Sequence, residues 1–309
     1  LPGSGELASA ARVVEGVLQG CIARINAEGG IHGRQLQLVV LDPGPDRASA
    51  QQALERLLGP EQVFALVMPM VPALEGRLAA QLEVAGVPLI GALSQEPYSR
   101  QVFEPLPGLR EQLLSLAAYA ETSLQARQLP TLVVPGDASQ AALAARLQAD
   151  LRERGWAQVL VQGVDAPLPD AQVVFFVGTA AVFGQLTEAL QARGMAPYLL
   201  AASSQVGGEL LQLPEQWSRR VFLAYPFIPS DWSAAGRTAL AQVRERQGLD
   251  GRQALLQVGA WCSMVLLEEA LKRAGRDASR DKLVTALEGL HDVQTGLTPP
   301  LSFGPGRRQ

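Results

Sequence analysis

Histidine, the most frequent general base in enzymes, occurs only at His32 and His291 in this 309-residue chain. His32 lies in a glycine-rich turn and His291 follows a predicted helix, so both are expected on the surface. The sequence has no HExxH, GxSxG, CxxC or Walker A pattern, so metal-assisted, acyl-transfer and phosphoryl-transfer chemistry lack support. We therefore expect no catalytic residues, no metal site and no cofactor.

The two cysteines, Cys21 and Cys262, are too few for a disulfide framework. Cys21 shares a helical apolar stripe with Val14, Leu18 and Ile25, at spacings typical of one helix face. This pattern favours a buried thiol in the core. A disulfide between the two cysteines remains the alternative.

Composition narrows the class of protein. Hydrophobic residues make up 48% and charged residues 18%, which is typical of a globular chain. The net charge is −4 and no basic block occurs, so we expect no nucleic-acid partner. Apolar runs such as Val173–Val177 are far shorter than the roughly 20 residues that span a bilayer. The length suits two α/β lobes better than a single core.

Apolar periodicity predicts alternating strands and helices, typical of parallel sheets covered on both faces. In the first half, the predicted helices are Glu6–Glu28, Arg47–Leu58 and Ala73–Ala85, and the predicted strands are Leu36–Leu41, Val63–Met68 and Val87–Ala92. After residue 108, the predicted helices are Leu109–Gln125, Gln140–Arg154, Val182–Arg193, Trp232–Gln247, Leu255–Ala274 and Arg280–Leu290. The predicted strands there are Thr131–Pro135, Ala157–Gln162, Gln172–Val177, Tyr198–Ala202 and Arg220–Tyr225.

Two extended, proline-bearing segments separate a strand from the helix that follows it: Phe103–Pro107 and Ala224–Pro229. Proline fixes φ and biases the preceding residue towards extended geometry. Each segment is therefore interpreted as a crossing between lobes, with an ordinary loop as the alternative.

The stretch Ile25–Leu36, with sequence INAEGGIHGRQL, ends the first helix and leads into the next predicted strand. Gly29 and Gly30 can adopt positive φ and end the helix, and Gly33 permits a tight turn. This run, together with Val84–Ile90, strongly resembles the branched-chain amino-acid and amide-binding proteins of the type 1 periplasmic class. The resemblance covers essentially the whole chain.

The resemblance implies two Rossmann-like α/β lobes with parallel sheets, joined by hinge strands, with a ligand cleft between the lobes. The first lobe would comprise residues 1–104 and 228–297, and the second 106–225. Hinges are expected near Pro105 and Pro226, and residues 298–309 would begin a third crossing.

Members of this family carry a strand before the loop that matches Leu1–Gly5, and more chain after the third crossing. Without that strand, the first lobe would have open hydrogen-bonding edges. We therefore expect the natural protein to extend beyond both ends. A secretory leader, absent from the sequence, would have been cleaved from a periplasmic protein.

Ligands of parallel α/β lobes bind loops at the carboxyl ends of the strands. Aligned with the family, the expected contacts are Ser9, Met70, Val71, Pro72, Leu93, Ser94, Gln95, Ser139, Thr179 and Ser203. An aromatic cage of Trp217, Trp232 and Trp261 is the less favoured alternative, because Trp261 fits a helix face in the core.

Amino-acid binders of the family hold the carboxylate with a serine where this chain has Pro72. They hold the ammonium with a hydroxyl residue near Gln95 and an acid near Ser203. A buried zwitterion without such partners loses several kcal/mol of solvation per charge. We therefore expect an ABC-type solute-binding protein whose small organic ligand is not a standard α-amino acid. An alignment shifted by one or two residues would place the carboxylate of Glu96 or Asp137 among the ligand contacts.

The expected partners are this ligand and a membrane ABC permease. The alternative is a sensory or protein-docking module that has kept the fold and lost the transport role.

Overall fold

The computed structural model describes residues 1–5, 7–74, 76–92, 99–137, 140–251 and 253–305. The chain divides into two compact units. Unit 1 comprises Leu1–Leu106 and Phe227–Gln309, and unit 2 comprises Pro107–Pro226. Both units contain parallel sheets and packed helices, which confirms the predicted α/β class.

Ten α-helices occur within the described residues. They are α1 (Ala8–Ala27), α2 (Arg47–Leu58), α3 (Leu78–Ala85), α4 (Leu109–Ser123), α5 (Ala141–Glu153), α6 (Ala180–Ala192), α7 (Ser203–Val206), α8 (Ala234–Gln247), α9 (Ala254–Ala274) and α10 (Arg280–Glu288). The same residues form eight strands. They are β1 (Leu66–Val67), β2 (Leu89–Ile90), β3 (Val102–Phe103), β4 (Thr131–Pro135), β5 (Val159–Val161), β6 (Val173–Val177), β7 (Tyr198–Ala202) and β8 (Val221–Ala224).

The sheet of unit 1 has three parallel strands in the order β1-β2-β3. The predicted strand Leu36–Leu41 is absent from the described ladders, so that prediction was wrong. Leu36 instead exchanges two 2.8 Å hydrogen bonds with the side-chain amide of Asn26. Apolar periodicity reports which residues are buried, but a ladder also requires a neighbouring strand.

The predicted helix Ala73–Ala85 is also divided. A 3₁₀ turn covers Pro72–Leu74, and α3 begins only at Leu78. Proline supplies no N–H and fixes φ, which suits the first position of a short turn. Gly86 ends α3 in the left-handed conformation, with φ 63°.

The glycine turn after α1 has the geometry that its sequence indicates. Gly29, Gly30 and Gly33 have φ values of 99°, 71° and 77°. A Cβ atom on Gly30 would lie 2.1 Å from the carbonyl oxygen of Arg34, so no larger residue fits. The bridge between Ile31 and Arg34 closes this turn.

Helix α9 forms the centre of unit 1 and packs against α1 and α10. By length and composition alone α9 could cross a membrane, with a mean hydropathy of 1.4 over its most apolar 18-residue window. Because 72% of that window is buried in the protein, it also meets the description of a core helix. The indole of Trp261 is buried and donates to the carbonyl of Thr295 at 2.9 Å, as expected for a core tryptophan.

The described carboxyl-terminal residues belong to unit 1. Leu301 forms an antiparallel bridge with Val293, and the buried ring of Phe303 packs edge-on against Phe103. Residues 306–309, part of the predicted third crossing, lie outside the described residues.

Unit 2 contains five parallel strands in the order β5-β4-β6-β7-β8. Strands β4 and β6 are buried along their whole length, because helices cover both faces of the sheet. One face packs against α4 and α5, and the other against α6. This doubly covered parallel sheet places the carboxyl ends of its strands at one edge.

Candidate functional site

Two glycines bring the ends of adjacent strands together in unit 2. Gly136 follows β4 and donates its N–H to the carbonyl of Val177, at the end of β6, at 2.8 Å. A Cβ atom on Gly136 would lie 3.1 Å from the Cα of Gly178. The lack of side chains therefore allows both backbones to approach at the edge where ligands of α/β sheets bind.

The side chain of Gln205 links the carboxyl ends of β6 and β7 by hydrogen bonds. Its side chain is 4% exposed, and its Oε1 accepts from the backbone N–H of Ala202 at 3.0 Å. Its Nε2 donates to the carbonyl of Gly178 at 3.4 Å. Gln205 was not predicted from the sequence, although a polar residue soon after an apolar strand is the signal that could have identified it.

Thr179 and Ser203 lie at this edge of unit 2, as predicted from the positions of their strands. Thr179 is exposed and precedes the first turn of α6, but its side chain makes no capping hydrogen bond. Ser203 is half-buried and begins α7 directly after β7. These hydroxyls and the first N–H groups of α6 give the edge neutral hydrogen-bonding groups.

The loop after β4 adds a carboxylate. Asp137 is exposed, and its Oδ1 accepts from the backbone N–H of Gln140 at 3.3 Å. The Oε1 atom of Gln140 is buried and has no hydrogen-bond partner in the described part of the chain. Ser139, another predicted contact, lies outside the described residues.

In unit 1 the predicted contacts after β1 differ in accessibility. Met70 is 7% exposed and belongs to the core, Val71 is half-buried, and Pro72 is exposed. Nearby Met68 has a φ of 48°, a conformation rare for a side chain of this size. Ser9 is exposed in the first turn of α1.

The loop after β2 begins at Gly91, which has a φ of 75°. The N–H of the following residue, Ala92, donates to Oε2 of Glu104 at 3.0 Å, so this carboxylate holds the start of the loop. Glu104 was not predicted from the sequence. The predicted contacts Leu93, Ser94 and Gln95 lie outside the described residues.

Neither histidine belongs to one of these loops. Both are exposed, and a ring nitrogen of His32 is 2.9 Å from the carbonyl oxygen of Lys272. Among the described residues, no group of three His, Cys, Asp or Glu side chains could hold a metal ion. The hydroxyls of Thr179 and Ser203 can donate and accept hydrogen bonds.

Comparison with known sequences gives one match over the whole chain. The family model described as "Periplasmic binding protein" matches residues 1–309. No curated protein matches the sequence.

Several solved structures share the fold at low sequence identity. A fatty acid ABC transporter substrate-binding protein from Thermomonospora curvata is 17% identical, with a TM-score of 0.76, covering 98% of this chain and 82% of its own. A leucine-binding protein from Thermotoga maritima is 16% identical, with a TM-score of 0.72 and coverages of 99% and 90%. A solute-binding protein of an ABC transporter from Rhodopseudomonas palustris, in complex with 3,4-dihydroxybenzoic acid, is 15% identical, with a TM-score of 0.69 and coverages of 99% and 88%.

Proposed function

Because the chain belongs to the periplasmic binding protein family, we propose that it is the solute-binding component of an ABC-type uptake system. The family consists of substrate-binding proteins and not of enzymes. The match over residues 1–309 is the observation that carries this proposal. The protein would bind a small organic molecule and deliver it to a membrane permease after export to the periplasm.

The ligand would be held between the two lobes, with hinges near Pro105 and Pro226. A ligand that contacts both lobes binds the closed form more tightly and so shifts the population towards it. Contacts are proposed from Leu93, Ser94 and Gln95 on one lobe and from Ser139, Thr179 and Ser203 on the other. Val71 and Pro72 would supply apolar surface, whose burial contributes roughly 25 cal/mol per Å².

The class of ligand follows from the groups at the strand ends. Thr179 and Ser203 offer neutral hydroxyls, which can orient a carbonyl, a hydroxyl or a carboxylate. The similar structures are named for a fatty acid, for leucine and for a dihydroxybenzoic acid complex, so the shared fold does not select one ligand. We propose a neutral or weakly polar organic molecule.

Standard α-amino acids are poor candidates. Pro72 has neither a hydroxyl nor an N–H to offer a carboxylate, and Ser203 is neutral where an acid would pair with the ammonium. Each unpaired buried charge costs several kcal/mol. Asp137 would reverse this conclusion if its carboxylate paired with a ligand ammonium, since it is exposed at the same edge of unit 2 as Thr179.

The decisive experiment is mass spectrometry of small molecules released when the freshly purified protein is denatured, followed by calorimetry with the identified compound. We expect a stoichiometric organic ligand and no turnover of it. A panel of leucine, valine and glutamate should show no micromolar binding. Micromolar binding of an amino acid that Asp137→Asn abolishes would overturn the ligand class, and catalytic conversion of the ligand would overturn the binding role itself.

A further inference from the structure

Met68, directly after β1, combines deep burial with a strained backbone. It is 2% exposed and its φ is 48°. Its N–H donates to the carbonyl of Ile90 at 3.0 Å, so the turn begins while the chain is still paired with β2. A left-handed conformation costs free energy for any residue with a Cβ atom, whereas glycine would adopt it without strain. The packing around Met68 must therefore favour a long side chain at this position.

The thioether of Met68 lies in a slot between two glycines. A Cβ atom on Gly91 would lie 2.6 Å from the Sδ atom of Met68, and a Cβ atom on Gly259 would lie 3.1 Å from its Cε atom. Gly91 starts the loop after β2, and Gly259 belongs to α9. Methionine is unbranched and flexible, which suits a narrow slot. The side chain of Met68 thus lies against the start of a second loop and against the central helix of unit 1.

Ser263, one helical turn after Gly259, completes the slot. Ser263 is fully buried, and its Oγ donates to the carbonyl of Gly259 at 2.8 Å. A Cβ atom on Gly91, whose φ is 75°, would overlap this Oγ as well as the Sδ atom of Met68. No larger residue fits at Gly91, so its backbone stays in direct contact with both α9 and the thioether.

Two loops at the carboxyl edge of the unit 1 sheet begin at this slot. Beyond Met68, the chain continues to half-buried Val71 and exposed Pro72. Beyond Gly91, the described part of the second loop ends at Ala92. Because both loops start from residues in contact with the same thioether, the position of both should depend on this one side chain.

We propose that Met68 is a positioning residue for ligand binding: its thioether fixes the loops after β1 and β2 against α9 and thereby presents Val71 and Pro72 to the ligand. Strained residues cluster at ligand-binding sites, where the surrounding packing holds them. Loops that are held in place before the ligand arrives lose less conformational entropy on binding. The inference rests on the proposed function for the presence of a ligand, whereas the placement of the loops is tested without one.

The first test compares Met68→Leu with the matched control Met264→Leu. Both methionines are 2% exposed in the same core, and both substitutions nearly conserve volume. Leucine is branched and should not enter the slot. Hydrogen exchange is followed at the amides of Leu74 and Ala92, which are hydrogen-bonded and report on one loop each. Both amides should exchange about tenfold faster in Met68→Leu than in Met264→Leu, at similar unfolding midpoints.

The second test crowds the slot from the side of α9. The methyl group of Gly259→Ala would meet the Cε atom of Met68 at 3.1 Å, and alanine is the better helix former, so the unfolding midpoint should change little. Nuclear magnetic resonance follows the isotope-labelled methyl groups of the methionines, which are Met68, Met70, Met195 and Met264. The Met68 resonance should shift and exchange at Leu74 and Ala92 should again quicken, while the resonance of Met195 in unit 2 stays unchanged.

Equal exchange at Leu74 and Ala92 in the two leucine variants would overturn the proposal. Unchanged exchange in Gly259→Ala beside a shifted Met68 resonance would do so as well. Faster exchange throughout unit 1, including the middle of α9, would also overturn it, because Met68 would then only stabilise the core. If no small molecule binds the protein, the proposed function fails while these exchange rates keep their expected values, so the two failures are distinguishable.

Discussion

The guanidinium of Arg154 forms two parallel hydrogen bonds with the carboxylate of Glu121, from Nε to Oε1 at 2.7 Å and from Nη2 to Oε2 at 3.1 Å. Arg127 and the indole of Trp156 donate to the same carboxylate. The side chain of Glu121 is only 8% exposed. Burial alone would raise its pKa, but the hydrogen bonds from Arg154, Trp156 and Arg127 outweigh burial and hold the pKa at about 2.

Glu121 should therefore make unit 2 sensitive to acid. Its folded pKa lies below the ordinary value of 4.5, so the stabilisation is complete above pH 4.5 and is lost as the pH falls towards 2. Glu121→Gln should lower the free energy of unfolding at pH 7 by roughly 2 kcal/mol. Urea unfolding between pH 2 and pH 7 measures both effects. The exposed Glu188→Gln is the matched control, and equal pH profiles for the two variants would contradict the prediction.

Gly236 should not tolerate even a methyl group. A Cβ atom on Gly236 would lie 2.2 Å from the carbonyl oxygen of Gly296, which is backbone and cannot rotate away. Gly236→Ala should destabilise unit 1 by roughly 1–3 kcal/mol, the usual cost of overpacking. Gly251→Ala, whose new Cβ would have no described atom within 4 Å, is the control and should leave the unfolding midpoint almost unchanged. A similar effect of both substitutions on thermal unfolding would refute this contact.

Cys21 and Cys262 should behave as inert thiols. Both are free and buried, and burial raises the pKa of each to about 12. Since the thiolate is the reactive species, neither should react with iodoacetamide at pH 8 in the native protein. Both should react after denaturation in guanidinium chloride, which mass spectrometry detects as two added groups. Fast labelling of the native protein would show that a thiol is accessible. Failure to label the denatured, unreduced chain would show that the two cysteines form a disulfide.

Ser203→Trp should abolish ligand binding while leaving unit 2 folded. Ser203 is half-buried at the carboxyl edge of the sheet, so an indole there would occupy space proposed for the ligand. Ser123→Trp is the matched control, since exposed Ser123 ends α4 just before the amino end of β4. Calorimetry with the ligand identified by mass spectrometry should show at least about a hundredfold loss for the first variant only. Unchanged affinity in a normally folded Ser203→Trp protein would show that the proposed contact is wrong.

Helices α4, α5 and α6 and the buried strands of unit 2 could be predicted from the sequence, because their apolar patterns report burial directly. The five residues of β4 and of β6 were both included in the predicted strands. The glycine turn at Gly29, Gly30 and Gly33 was also predictable, since only glycine adopts those φ values easily. Family membership followed from that turn and is confirmed.

Pairing partners and side-chain bonds were not predictable in the same way. Leu36–Leu41 has the pattern of a strand, yet no ladder in the described structure includes it. Glu104 holds the start of a loop by accepting from the N–H of Ala92, twelve residues earlier in the chain, a relation that no local pattern records. The candidate contacts depended on alignment with a family, so whether Thr179 and Ser203 touch a ligand stays a prediction.

The proposed periplasmic role requires export, and a chain that is exported before it folds would carry helix α9 across the membrane as an extended segment. The translocation machinery would meet an apolar stretch as long as that of a membrane anchor. Its carboxyl-terminal turns carry Glu268, Glu269, Lys272 and Arg273, which form two ion pairs at 2.7 and 3.0 Å in the folded helix. Charged side chains that would enter the bilayer oppose retention of the segment in lipid. These four residues would therefore favour release of the newly made chain as well as the folded state of unit 1.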